Sequence, residues 1–187
     1  MELLDALDAT FDHTGGVIAE IRPNQLEAPT PCAEWDVQAL LAHTIGVVTN
    51  MGRGVLGESL LLDPNATAVE PDPGAQFGAV AATTLAAWRS LAPDASVDIG
   101  AGPMPAMVAM SINLLDTATH SWDIATATGQ SGDLDPEVAT RVMEACRMVV
   151  SDEVRGFAGF DPEVPVPAGS SVIEQVVAFL GRRPVLA

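Results

Sequence analysis

The chain has 187 residues and a mass of 19.4 kDa, a size that predicts one domain, residues 1–187, with a sizeable buried core. Hydrophobic residues make up 48% of it, which argues against a disordered chain. The 25 acidic and 8 basic residues give a formal charge of −17, and a surface so negative repels nucleic-acid phosphates and anionic membranes. We therefore expect neither nucleic acid nor membrane among its partners.

The amino terminus and the two cysteines predict a cytoplasmic location. The first residues, MELLDALDATFDH, are acidic and lack the basic segment and apolar run of a signal peptide. The apolar stretches of the chain fall short of the ~20 residues that span a bilayer. Cys32 and Cys146 are too few for a disulfide framework, which indicates reduced thiols.

Hydrophobic periodicity predicts two long helices in the first part of the chain. The first is expected over about 2–22, and the proline-containing segment 26–35 is typical of an ordered loop. The second helix begins after Asp36, whose short carboxylate can cap the free N–H groups of the first turn. Three prolines make 62–74 a predicted loop.

The middle of the chain predicts two more long helices. The third is expected over about 75–91, ending before Pro93, and a short extended segment follows at 96–99. The fourth, over about 106–128, is the most apolar of the set, and Gly129 stops it.

Capping residues predict the elements near the carboxyl terminus. Asp135 is expected to cap a fifth helix that has Pro136 at its first position and runs to about residue 155. The segment 162–167, PEVPVP, is expected to be extended. Ser170 or Ser171 then opens a last short helix.

Four long amphipathic helices predict a mainly α fold, an up-and-down type of four-helix bundle. One or two extra helices and a short extended or β accessory segment accompany the bundle. We expect the two extended segments to form a small hairpin or ribbon.

One constellation of residues predicts a metal site. Asp116 and His120 are four residues apart on the fourth helix, which places both side chains on one face. His43 lies in the middle of the second helix, and its same-face neighbours Leu40 and Val47 direct it inward. Two imidazoles and one carboxylate are ligands that Zn²⁺ accepts, with a fourth position left for water or substrate. The alternative is that both histidines are structural core residues.

Several other polar residues could have a role in or near this site. Asp123 lies on the same helix face as His120, where it can accept an imidazole N–H, act as a general base, or be merely solvated. His13 is expected to pack against a helix rather than bind metal. Cys32 has no Lys, Arg or His near it in the sequence and is expected to be buried and inert. Candidates to bind an anionic substrate are Arg53, Arg89, Arg141, Arg147 and Arg155.

Four segments resemble a known family. PTPCAEWDVQALLAH at 29–43 resembles the entry to the second helix of the DinB-like metal-binding superfamily, in the actinobacterial branch related to mycothiol-dependent maleylpyruvate isomerase. DTATHSWDIA at 116–125 resembles the second signature of that branch. FDPEVPVP at 160–167 and AFLGRRP at 178–184 are similar to its end.

The resemblance implies a four-helix bundle that holds one divalent metal ion through three protein ligands. Carried over to this chain, the ligands are His43, Asp116 and His120, and the metal is typically zinc, with Ni²⁺ and Fe²⁺ as alternatives. It also implies a low-molecular-weight thiol, such as mycothiol or bacillithiol, as cofactor or co-substrate.

The chain departs from the family pattern at two points. The carboxylate ligand is usually Glu, and Asp116 is one methylene shorter, so the resemblance alone leaves the metal's identity open. The related isomerase has a second domain, and we expect none here, so isomerase activity on maleylpyruvate is not expected to carry over.

These features support two hypotheses about function. The first is a metal-dependent thiol S-transferase or isomerase that acts on a small electrophile, with Asp123 as a catalytic residue. The second is a non-catalytic metal-binding or interaction module built on the same bundle. The expected partners are a small thiol and an electrophile, and a homodimer is compatible with either hypothesis.

Overall fold

The computed structural model describes residues 1–33, 35–92, 94–158 and 160–184. The fold is mainly α, as predicted, with short 3-10 turns at Pro23–Gln25 and Pro64–Ala66. In chain order the elements are α1 (Leu3–Ala19), α2 (Val37–Val55), α3 (Pro73–Arg89), β1 (Ser96–Asp98), β2 (Pro103–Pro105), α4 (Ala106–Thr128), α5 (Pro136–Val149), α6 (Asp152–Ala158) and α7 (Val172–Phe179).

The first four helices form the bundle. α1 packs against α3 and α4, and α2 packs against the same two helices. The order around the bundle is therefore α1, α3, α2, α4, which places α1 and α2 at opposite corners rather than side by side as in a simple up-and-down chain. The long connection between them, residues 20–36, is what allows this crossing.

Apolar faces of all four helices meet in one core. Leu7, Leu41, Phe77 and Leu114 are fully buried, one from each helix of the bundle. The rings of Phe11 and Phe77 meet edge to face at 5.9 Å and join α1 to α3. Burying each large side chain of this kind stabilises the fold by roughly 1.5–3 kcal/mol.

Most helix ends lie where the capping residues predict them. Asp36 accepts a hydrogen bond from the Ala39 N–H at 2.8 Å, and Gly129 ends α4 in a left-handed conformation with φ of 72°. Of the two serines, Ser171 caps the last helix. α3 starts earlier than predicted, at Pro73, because Asp72 caps it and proline is favoured in the first turn.

Three predicted ends need correction. The first helix ends at Ala19 rather than near residue 22, and the third ends at Arg89, with Pro93 itself outside the described residues. The fifth helix does not reach residue 155: α5 ends at Val149 and α6 follows. Val150 leaves the helical conformation, and the Ser151 hydroxyl accepts the Val154 N–H at 3.2 Å, which starts a new helix. In the described part of the chain, three helices (α5, α6 and α7) thus accompany the bundle, where one or two were predicted.

The accessory segment is a short hairpin. β1 pairs antiparallel with β2, with Val97 opposite Met104. The segment 162–167 joins no strand in the described ranges; instead the Val164 N–H donates to the Ala178 carbonyl at 3.0 Å. Among the described residues, no helix combines the length and the apolar character that a membrane crossing requires.

Candidate metal centre

The three predicted ligands converge where α2 packs against α4. His43 projects from α2, and Asp116 and His120 project from successive turns of α4. Asp116 Oδ1 lies 3.7 Å from His43 Nε2 and 3.6 Å from His120 Nε2. The candidate ligand atoms of all three residues lie within 4.8 Å of one another.

These separations are close to what one small cation requires. An ion held about 2.1 Å from nitrogen and oxygen ligands in a tetrahedron places neighbouring ligand atoms about 3.4 Å apart. The distances from Asp116 Oδ1 exceed that value by only a few tenths of an ångström. They are also too long for good hydrogen bonds, so direct pairing between these side chains does not explain the arrangement.

Two buried polar atoms point to the same conclusion. His43 Nε2 and Asp116 Oδ2 are inaccessible to solvent and have no hydrogen-bond partner among the residues that the structure describes. A buried polar group without a partner costs roughly 1–3 kcal/mol. A divalent cation would satisfy both atoms, so the donor set fits the metal that the sequence predicts.

A surface turn orients His43. Its Nδ1 lies 2.7 Å from Asn65 Oδ1, which fixes Nδ1 as the donor and leaves the Nε2 lone pair for a metal. Gly46 makes this contact geometrically feasible, because a Cβ at that position would lie 2.1 Å from the Pro64 carbonyl oxygen. The missing side chain lets the 3-10 turn that carries Asn65 rest directly on α2.

A buried ion pair orients His120. Its Nδ1 lies 3.1 Å from Asp123 Oδ2, one turn further along α4. The two oxygens of Asp123 also accept hydrogen bonds from Arg182, at 3.4 Å from Nε and 3.2 Å from Nη2. Asp123 has 0% of its side chain exposed and Arg182 has 9%, so this support is almost fully shielded from water. Of the roles predicted for Asp123, the geometry shows the hydrogen bond to the imidazole.

Gly181 allows the chain to place Arg182 beside Asp123. It has a φ of +87°, and a Cβ there would lie 2.4 Å from the Asp161 Cβ. The close passage of residues 181 and 161 brings Arg182 back over the end of α4.

The pKa values of the ligands reflect their shared charge. Burial alone would lower the pKa of His43, but the Asp116 carboxylate and the Asn65 oxygen outweigh it, so this pKa lies above its usual value. Burial raises the pKa of Asp116, yet the two imidazoles and Arg182 bring it below the usual value. Asp116 is therefore ionised at neutral pH, and either a proton on His43 or a metal ion balances it.

The site opens into a cavity of about 540 Å³. Trp35 forms one wall: its ring lies 4.4 Å from the His43 ring and 6.0 Å from the His120 ring, between centroids. The volume falls within the ~300–1,000 Å³ of small-ligand sites. Its lining residues are Pro31, Cys32, Ala33, Trp35, His43, Asp116, His120, Phe160, Asp161, Leu180, Gly181 and Arg182.

The structure corrects the expectation for Cys32. This thiol is half-buried in the cavity wall, and its sulfur lies within 4.8 Å of ligand atoms of His120 and Asp123. Sequence spacing does not reveal this, because the histidine that approaches Cys32 is 88 positions away in the chain.

Arg182 is a second residue that sequence reasoning missed. Of the five arginines proposed to bind an anionic substrate, none is among the described residues that line the cavity, whereas Arg182 is. The only available signal was the similarity of AFLGRRP at 178–184 to the family's end.

The remaining candidates lie away from the ligands. Burial lowers the pKa of His13 against an opposing effect of Asp133, and the ligand groups found among the described residues do not include it. Cys146 is buried in α5, and burial raises its pKa to about 12, so this thiol is protonated and inert at neutral pH. Trp122 is buried in the core.

A helical bundle with a histidine–aspartate–histidine cluster at an open cavity defines a class of candidate metal-binding proteins. Residues 7–125 match the model of the family described as the mycothiol maleylpyruvate isomerase N-terminal domain. The chain belongs to this family, which confirms the resemblance seen in its two signature segments.

Two relatives match the chain over almost all of its residues. Two uncharacterized proteins of Mycobacterium tuberculosis, from strains CDC 1551 and H37Rv, are each 35% identical to the chain over 190 residues. The match covers 97% of this chain and 98% of each relative. No solved structure matches the chain significantly.

Proposed function

We propose that this protein is a metal-dependent enzyme that presents a low-molecular-weight thiol, of the mycothiol type, to a small electrophile. The reaction is an S-transfer or an isomerisation. One observation carries the proposal: three ligand atoms from two helices converge at the wall of an open cavity. A non-catalytic module is the alternative, and the cavity favours the enzyme because a storage or structural site needs no room for substrate.

The residues of the site have two proposed roles: three would hold the metal ion and one would cover its open position. His43, Asp116 and His120 would hold one divalent ion, most simply Zn²⁺, which lowers the pKa of a thiol or water bound in its open position. The Trp35 ring lies beside both imidazoles, tilted by 41° to that of His43 and by 49° to that of His120, and would cover one side of this position. We place the reaction in the cytoplasm, where thiols remain reduced.

Asp123 is a positioning residue in this proposal rather than a general base. A general base must reach the proton that it removes, and Asp123 is fully buried with its oxygens engaged by His120 and Arg182. Its negative charge fixes the tautomer of His120 and strengthens that imidazole as a ligand.

The charges around the cavity limit the electrophile. Arg182 is neutralised by Asp123, and the exposed carboxylate of Asp161 lies in the wall. The whole chain carries a formal charge of −17, which disfavours multiply anionic substrates. We therefore propose a small electrophile that is uncharged or carries a single charge.

The test uses the full chain loaded with Zn²⁺. Thermal-shift and turnover measurements with mycothiol, cysteine and other small thiols are combined with a panel of epoxides, alkyl halides and unsaturated carbonyl compounds. The wild type is expected to bind one thiol and to convert at least one electrophile class. His43→Ala is expected to do neither, and His13→Gln is the matched histidine control that retains both.

Two results would contradict the proposal. One is a purified protein that binds no metal ion after loading. The other is a His43→Ala variant that responds to every thiol as the wild type does.

A further inference from the structure

A thiol lies beside the proposed ligands without a role in the function described so far. Cys32 is in the wall of the same cavity. Its N–H donates to Thr30 Oγ1 at 3.2 Å, and its carbonyl accepts the Trp35 N–H at 2.9 Å. These hydrogen bonds fix the backbone of Cys32 in the turn that precedes Trp35.

Cys32 belongs to a second group of residues whose ligand atoms lie within 4.8 Å of one another, together with His120 and Asp123. This group is a poor metal site in its own right. The carboxylate of Asp123 is already paired with Arg182, and the guanidinium charge would oppose a cation bound there. Asp123 is thus unavailable as a ligand, and His120 is the member of this group that also belongs to the proposed ligand set.

His120 is common to both groups, and its Nε2 is directed at Asp116. An ion held there by these three residues would have room for a fourth ligand. The buried Nε2 of His43 and Oδ2 of Asp116, which have no hydrogen-bond partner within the described part of the chain, mark the same position. A soft sulfur donor next to a site of this kind is a ligand that Zn²⁺ prefers.

Charge supports the same assignment. A divalent ion with one carboxylate and two neutral imidazoles leaves one net positive charge in a largely buried site. The thiolate of Cys32 would bring that charge to zero, and the pair of Asp123 and Arg182 is already neutral. Burying a neutral cluster costs less than burying a net charge.

We propose that Cys32 is a fourth, exchangeable ligand of this ion, which closes the site until a small thiol replaces it. The inference rests on the proposed function, because it assumes the ion held by His43, Asp116 and His120. Zn–S and Zn–N bonds of about 2.3 and 2.1 Å put sulfur and nitrogen about 3.6 Å apart. Cys32 does not share one 4.8 Å group with all three proposed ligands, so its side chain must move towards them before it can coordinate.

The exchange balances without an added base or oxidant. When Cys32 coordinates, its S–H bond breaks, the proton passes to water, and a sulfur lone pair forms the new bond. When a small thiol takes its place, the proton of that thiol passes to the sulfur of Cys32. The ligand thus doubles as the proton acceptor for the incoming thiol.

The test replaces the proposed zinc with Co²⁺, because a thiolate ligand gives cobalt an intense near-ultraviolet charge-transfer band. The full chain is loaded under anaerobic conditions, and bound cobalt is counted by elemental analysis. Wild type is expected to show the band at one thiolate per cobalt. Cys32→Ser and Cys32→Ala should keep the cobalt and lose the band, and Cys146→Ala should keep both.

The outcomes separate this inference from the proposed function. One bound cobalt without the band in wild type, or a band that persists in both Cys32 variants, overturns the role of Cys32 and leaves the metal site intact. A wild-type protein that binds no cobalt and no zinc overturns both.

Discussion

The candidate metal centre has an α2 half, with His43, and an α4 half, with His120. Both halves orient their imidazoles in the same way but use different hydrogen-bond partners. In both, the Nδ1 of the histidine is held by an oxygen and Nε2 faces the shared position. On the α2 side that oxygen belongs to the neutral amide of Asn65, on an exposed turn. On the α4 side it belongs to Asp123, which is fully buried and paired with Arg182.

This difference separates a rigid half from an adjustable one. A buried charge pair is costly to break because the remaining charge is left without a partner. A hydrogen bond on an exposed turn can be replaced by water at little cost. The His120 ring is therefore held in a fixed orientation. The His43 ring, whose partner is exposed, can shift to compensate for Asp116, which is shorter than the Glu usual in the family.

Removal of a histidine ligand from either half should abolish zinc binding altogether. His43→Ala and His120→Ala are each expected to reduce bound zinc to background, because two protein ligands do not hold this ion in competition with water. Elemental analysis after dialysis measures the zinc bound per chain. His13→Gln should retain a full equivalent, and a full equivalent in either alanine variant would refute the ligand set.

Asp123→Asn tests the rigid half. The side chain keeps its size, but Arg182 loses its counter-charge, which should lower the free energy of unfolding by about 3 kcal/mol. The affinity for zinc should fall about 100-fold, the upper end of the range for such supporting residues. Urea denaturation of the metal-free protein and competition with a chelator measure the two effects.

A double variant provides the control. Asp123→Asn with Arg182→Met removes both charges, so it should recover much of the stability while the affinity for zinc remains low. Equal affinity in wild type and Asp123→Asn would show that the carboxylate does not support His120.

The pH dependence of stability and of zinc affinity tests the protonation of His43, in the adjustable half. Because the pKa of His43 is raised in the metal-free protein, its protonation stabilises the fold fully below about pH 6.5, the usual value, and this stabilisation is lost as pH rises through the raised pKa. The affinity for zinc has the opposite dependence and rises with pH, since the proton on His43 must leave before the metal can bind. Affinity should fall up to about tenfold per pH unit below that pKa. A flat affinity between about pH 8 and 6 would contradict this.

Asn65→Ala should have the smallest effect. The affinity for zinc is expected to drop about tenfold, the lower end of the range for supporting residues. Stability should change by no more than about 0.5 kcal/mol because the residue is exposed. Asn24→Ala is the matched control, since Asn24 also follows proline in an exposed 3-10 turn. If both variants bind zinc equally well, Asn65 does not orient His43.

Local sequence patterns predicted the parts of the site that lie on one element. The spacing of Asp116, His120 and Asp123 fixes their common face because an α-helix repeats every ~3.6 residues. The cap at Asp36 and the stop at Gly129 are equally local, and the structure confirms both. The break between α5 and α6 was missed, because hydrophobic periodicity continues across Ser151.

Most helices, their apolar faces and the family signatures can be predicted from residue patterns, because these depend on neighbours within a few positions. The opposite corners of α1 and α2, and the approach of Asn65, Arg182 and Cys32 to the site, are seen only in the folded chain. These residues lie on turns and on the returning chain end. Their positions depend on close backbone passages at Gly46 and Gly181, which no residue spacing encodes.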